Sequence, residues 1–129
     1  MERVSKGLML VVVLFAVAAG VPSARAQAPL RVAIVGLVHD HARGLFGPLS
    51  KNTNVQLVGI AEPDTALAAR YAAQFHLDQK LLFTDTDRML DQVHPDAVLV
   101  YTSIVDHRKA IEAAARRGIS AMVDMRANM

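Results

Sequence analysis

Apolar residues fall along the chain in short unbroken runs, separated by stretches in which they recur every three or four positions. Leu30-Arg31-Val32-Ala33-Ile34-Val35 is a β-branched run closed by Gly36, and Val55-Gln56-Leu57-Val58-Gly59-Ile60-Ala61 is a second, closed by Glu62-Pro63-Asp64. Runs this continuous suit strands buried on both faces, as in a parallel sheet. Between Asp64 and Leu77 the residues Leu67, Ala68, Tyr71, Ala72 and Phe75 return at helical spacing, with Asp64 placed to cap the first turn. A short strand at Leu81-Leu82-Phe83 leads to a brief helix carrying Met89, Leu90 and Val93, and then to Ala97-Val98-Leu99-Val100-Tyr101. An Ala-rich helix from Asp106 to Arg117 ends at Gly118 and is followed by the last run, Ile119-Ser120-Ala121-Met122-Val123. A further helix spans about Ala42 to Ser50.

Strand and helix alternate five times, which predicts an α/β fold: a doubly wound parallel sheet of about five strands in the order 3-2-1-4-5, with right-handed crossovers. No repeat, low-complexity tract or linker interrupts the chain after residue 30.

The first 26 residues read differently. Arg3 and Lys6 precede an apolar run from Leu8 to Ala19, and Ala24-Arg25-Ala26 is a small-x-small triplet, the pattern of a secretory signal cleaved before Gln27. The apolar run is shorter than the roughly 20 residues of a spanning helix, which argues against a permanent membrane anchor. The expected organisation is a signal peptide at 1–26 and one domain at 27–129, exported to the periplasm or secreted. A mature chain of this size has room for one small core.

Charge follows the same division. The chain of 129 residues carries fourteen basic and twelve acidic side chains; three of the former and Glu2 lie in the first 26 positions, leaving eleven of each in the body. A formally neutral body without a basic helix face has no footprint for a phosphate backbone, so nucleic acid is not an expected partner. With no cysteine, thiol chemistry, iron–sulfur clusters and cysteine zinc sites are excluded.

In a sheet of this order a ligand lies beyond the C-terminal strand ends, where the order reverses between strands one and four. Those ends are Gly36-Leu37-Val38-His39-Asp40-His41, Glu62-Pro63-Asp64, and Thr102-Ser103-Ile104-Val105-Asp106-His107. The first is the place of a glycine-rich pyrophosphate loop, yet of G-x-G-x-x-G only Gly36 is present; Val38 and His41 occupy the later glycine positions. A plain strand-to-helix turn explains Gly36 equally well. Glu62 closes strand two, 26 residues after Gly36 and near the ~20 expected of an acidic residue that accepts from the adenine-ribose hydroxyls. Its alternative role is to open the turn into the Asp64-capped helix. A carboxylate there tilts the choice slightly toward NAD over NADP.

His39-Asp40-His41 could converge on a divalent metal, with His107 and Asp106 as further ligands, as in a metal hydrolase built on a barrel. A barrel cannot be built from a chain this short, so no metal is expected and the histidines are read as phosphate donors or helix caps. His76, at a helix end, and His94, before Pro95, read as surface or cap residues.

Taken in order, Leu30 to Gly36, Gly59-Ile60-Ala61-Glu62-Pro63-Asp64, Phe83-Thr84-Asp85, Met89-Leu90, Pro95-Asp96-Ala97-Val98, Thr102 through His107 and Ala110 to Gly118 resemble the N-terminal nucleotide-binding domain of the Gfo/Idh/MocA oxidoreductases, over about residues 30 to 124. The resemblance implies a Rossmann-type domain that takes NAD or NADP as cofactor. It implies that Gly36, Val38, His39, Asp40 and His41 face the pyrophosphate, Glu62 the adenosine ribose, and Thr102, Ser103 and His107 the nicotinamide edge. Where the family carries Glu-Lys-Pro after strand five, this chain has Asp124-Met125-Arg126; Asp124 keeps the charge and the lysine is missing.

Family members also continue into a substrate-binding domain. The expectation is therefore the cofactor half of a sugar or polyol oxidoreductase, not catalytic alone, with the dinucleotide as partner and with a missing substrate domain or self-association through an exposed fifth strand. A non-catalytic module that has kept the fold and lost the cofactor is the alternative.

Overall fold

The computed structural model describes residues 27–124. The expected signal peptide, its cleavage point, and Met125 and Arg126 lie outside these residues. Among the described residues no helix is long and apolar enough to cross a membrane.

Five strands, β1 (Leu30–Val35), β2 (Val55–Ala61), β3 (Leu82–Phe83), β4 (Ala97–Val100) and β5 (Ser120–Val123), alternate with four helices, α1 (His41–Lys51), α2 (Thr65–Phe75), α3 (Thr86–Val93) and α4 (Ile104–Ala115). All strand pairs are parallel and the order is β3-β2-β1-β4-β5, as the alternation predicts. Successive strand residues point to opposite faces, so β1 divides the core. Ala33 and Val35 pack with Met89, Leu90, Val98, Val100 and the alanines of α4. Val32 and Ile34 pack on the other side with Phe46, Ile60, Tyr71 and Leu99, beneath α1 and α2. The result is a three-layer sandwich with β1 at its centre.

Caps set the helix ends. Asp64 accepts from the Ala66 and Leu67 N–H groups at the start of α2, and Asp85 from Arg88 N at the start of α3. At the other ends His76 and His94 adopt left-handed backbone, with φ of 53° and 44°. Glycine or asparagine is usual there. Gly118, φ 66°, turns the chain from α4 into β5.

Several boundaries shift by one or two residues from the sequence reading, among them the end of α4 at Ala115 and of β4 at Val100. Leu81 belongs to a 3-10 turn at Gln79–Leu81, whose first residue follows a capping Asp78, which leaves β3 only two residues. Helix α4 begins two residues early, at Ile104, with Ser103 as its N-cap. Across the layers, Arg117 reaches from the end of α4 to Asp87 and Asp91 of α3, gripping Asp91 through two nitrogens at 2.7 and 3.1 Å. This hydrogen-bonded pairing holds the Asp91 carboxyl below its ordinary range and raises the Arg117 guanidinium. Strand β5 is a sheet edge, with Met122 exposed.

Candidate functional site

The β1-to-α1 loop is fixed at one residue from two directions. The Leu37 N–H donates to Glu62 Oε2 at 2.8 Å, while the Leu37 carbonyl accepts from the Tyr71 hydroxyl at 3.3 Å. Leu37 itself is buried. Glu62 is 3% exposed, and its second oxygen accepts from Asp64 N at 2.9 Å. The carboxylate thus joins the first loop to the β2 turn, and the turn role considered from sequence is directly visible.

Gly36 takes φ +82°, and a Cβ there would lie 2.7 Å from Thr102 Cγ2 and 2.8 Å from Thr102 N. The absence of a side chain lets the ends of β1 and β4 approach. Gly36 N donates to Ala61 O and Tyr101 N to Val35 O, so the three central strands end in register around this point.

Beyond these ends opens a cavity of about 380 Å³, lined in part by Gly36, Val38, Glu62, Asp64, Thr102 and Ser103. Its size falls within the usual range for small-molecule sites. The surrounding helix ends are unequal. Helices α2 and α3, to one side, have N-termini closed by Asp64 and Asp85. Helices α1 and α4, which flank the reversal point, carry no side-chain cap: Asp40 makes no capping bond, and Ser103 turns its hydroxyl to Asp106 Oδ2 at 2.7 Å. Orphan N–H groups and the positive end of a helix dipole favour an anion at such positions.

The other expected site residues fall in three places. Val38 projects into solvent at the cavity mouth, 64% exposed. His39 and His41 lie on the far side of the loop with their rings stacked 5.9 Å apart, and His41 Nδ1 meets Asp124 Oδ2 at 2.6 Å. His107, in the first turn of α4, is buried and is not grouped with His39 and His41, and its Nε2 has no hydrogen-bond partner among the described residues. The metal grouping considered from sequence, His39 and His41 with Asp106 and His107, is therefore not assembled; Asp106 is held at Ser103 instead.

A model of the oxidoreductase family with the NAD-binding Rossmann fold matches residues 30–124. The chain belongs to the Gfo/Idh/MocA family. Solved structures of similar fold include apo scyllo-inositol dehydrogenase from Lactobacillus casei (20% identity, TM-score 0.63, covering 75% of this chain and 28% of that one). The WlbA dehydrogenase of Bordetella pertussis, in complex with NADH and UDP-GlcNAcA, superposes at 18% identity and TM-score 0.64, over 75% and 29% of the two chains. Biliverdin reductase of Synechocystis sp. PCC 6803, with biliverdin and NADP+, is 24% identical with TM-score 0.63, over 74% and 29%. The present chain thus spans less than a third of each of these relatives. No curated protein matches it.

Membership in the Gfo/Idh/MocA family identifies this domain as a nicotinamide-dinucleotide-binding one, and the crevice at the reversal point is where doubly wound sheets hold such ligands. Sequence reasoning passed over Tyr71, which supports the loop behind the crevice and gives no local sign of reaching Leu37. The start of α4 did leave a signal, because Ser103-Ile104-Val105-Asp106 has capping-box spacing.

Proposed function

We propose that this domain is the cofactor half of an NAD-linked oxidoreductase acting on a sugar or polyol, with catalysis requiring a substrate-binding wall beyond the residues described. The observation that carries the reading is the cavity at the sheet's reversal point, bordered by the left-handed turn at Gly36 and by the start of α4, whose Ser103 makes no side-chain cap. The pyrophosphate belongs over the start of α1, beside Gly36, Val38 and Asp40. Glu62 has both oxygens on main-chain N–H groups, and their remaining lone pairs are available to ribose hydroxyls. Thr102 and Ser103 lie on the nicotinamide side. When bound, the nicotinamide supplies hydride acceptance or donation; the chain's own part is to hold and orient the dinucleotide.

The lining favours NAD over NADP. Glu62, Asp64, Asp85, Asp87 and Asp106 surround the cavity, and Lys109 is the one cation among its described lining residues. A 2′-phosphate beside Glu62 would meet like charge. The dinucleotide relatives of known structure hold either form, NADH in one and NADP+ in another.

Calorimetric titration of the chain from Gln27 with each cofactor tests this. Saturable binding of NAD, at least about tenfold (about 1.4 kcal/mol) tighter than NADP, is expected. Val38→Gly, which restores the motif's second glycine, should tighten NAD further by opening the approach to the loop. Folded protein that binds neither cofactor would overturn the reading in favour of a module that has kept the fold without the ligand. Export follows from the first 26 residues, and N-terminal sequencing of secreted material should begin at Gln27.

A further inference from the structure

None of His39, His41 and Asp124 lines the cavity of about 380 Å³, although the two histidines border the loop over which the pyrophosphate is placed. Their potential ligand atoms lie within 4.8 Å of one another. They come from separate parts of the chain: the two histidines frame the start of α1, and Asp124 follows β5 at the sheet edge. The loop is steadied from below, since His39 N donates to Tyr101 O at 3.4 Å and Ala42 N to His39 O at 2.9 Å.

We infer that these three residues form a site for a divalent transition cation of the zinc type. Two imidazoles and a carboxylate are a borderline-soft donor set that suits zinc and manganese better than calcium or magnesium, which prefer oxygen alone. Nitrogen and oxygen ligands sit about 2.0–2.2 Å from such an ion, so two of them on one ion are at most about 4.4 Å apart, close to the span of this grouping. His41 Nδ1 and Asp124 Oδ2, now 2.6 Å apart, separate to admit the ion between them.

The donor count has a second consequence. Three protein ligands leave a coordination position open, as in catalytic rather than structural zinc sites. The site borders a recess of about 400 Å³ lined by His41, Tyr101, Met122, Val123 and Asp124. An exogenous oxygen ligand, water or a hydroxyl or carbonyl group, reaches the ion from there.

The test is a titration of Zn²⁺ and, separately, Mn²⁺ into untagged, chelator-treated protein in a non-coordinating buffer without dinucleotide, read by calorimetry and by thermal shift. One equivalent of Zn²⁺ should bind and raise the melting temperature. His39→Ala and Asp124→Asn should each weaken binding by roughly tenfold or more, since losing a supporting residue behind a ligand already costs that much. His76→Asn and His94→Asn, at left-handed helix ends that asparagine tolerates, should leave it unchanged. No saturable binding, several weak equivalents, or one-to-one binding that survives in the His39→Ala/Asp124→Asn double variant would overturn the assignment. All three ligands are at least partly exposed, so circular dichroism of the variants separates lost binding from lost fold. Failure of NAD binding would leave this result untouched.

Discussion

Replacing Glu62 by glutamine changes one atom and leaves the shape of the side chain intact. The carboxylate accepts from Leu37 N at 2.8 Å and Asp64 N at 2.9 Å while only 3% exposed. Glutamine satisfies one of those N–H groups and turns an NH₂ toward the other. A hydrogen bond to a charged acceptor is worth about 1.5–3 kcal/mol, and a buried donor left without a partner adds a penalty of about 1–3 kcal/mol. Against this stands the desolvation of a buried charge, which glutamine relieves. No cation pairs with Glu62 among the described ion pairs, so the N–H dipoles alone offset that desolvation. We expect the donors to win and Glu62→Gln to lose about 2–3 kcal/mol. For a domain of this size that is a fall in melting temperature of roughly 8–24 °C. The chain has no tryptophan, so urea unfolding followed by circular dichroism is the suitable assay, with an unchanged m-value marking an intact two-state transition. A variant within about 0.5 kcal/mol of the parent, the ordinary range for surface changes, would refute the idea that Glu62 holds the loop.

Gly36→Ala should destabilise by roughly 2–5 kcal/mol, combining the left-handed backbone penalty with a Cβ pressed against the Thr102 main chain; a melting curve like the parent's would show that β1 and β4 can move apart. Asp64→Ala should remove the α2 cap and about 1 kcal/mol with it, measurable in the same urea assay, and no change would mean that water replaces the carboxylate. Asp91 has its pKa lowered in the folded state by Arg117, so the stability from this pair is present above the unfolded-state value of about 3.9 and is lost as pH falls through the lower folded-state value. The stability difference between the parent and Asp91→Asn should accordingly be constant near neutrality and shrink below about pH 4; a difference unchanged in acid would contradict the pairing.

The strands β1, β2 and β4 were legible because they are largely buried or half-buried apolar runs, β5 because its apolar run follows the helix-ending Gly118 although three of its four residues are exposed, and Asp64 declared its cap by position. Gly36 was legible as a turn, though not its contact with Thr102, which depends on how β1 and β4 converge. The rest of the site rests on contacts between residues far apart in sequence. Leu37 to Glu62 spans 25 positions, Leu37 to Tyr71 spans 34, and His41 to Asp124 spans 83. Local spacing carries no trace of such pairs. It therefore pointed to Asp106 and His107 as companions of the His-x-His turn, whereas the sheet brings Asp124. The early start of α4 was missed for another reason: Ile104 and Val105, both β-branched, read as a continuation of the preceding strand end.

The central position of β1 also dictates an order of assembly. Its partner on one side, β2, follows after a single helix, but on the other side the backbone bond from Asp96 N to Arg31 O joins residues 65 positions apart. Closing so long a loop is slow, and parallel pairing offers no hairpin to shorten it. During synthesis β1, α1 and β2 can meet early, yet the crevice has only one wall until β4 and α4 leave the ribosome and dock. Dinucleotide binding is thus a property of the completed sheet, and a nascent chain halted before β4 has the loop but nothing opposite it.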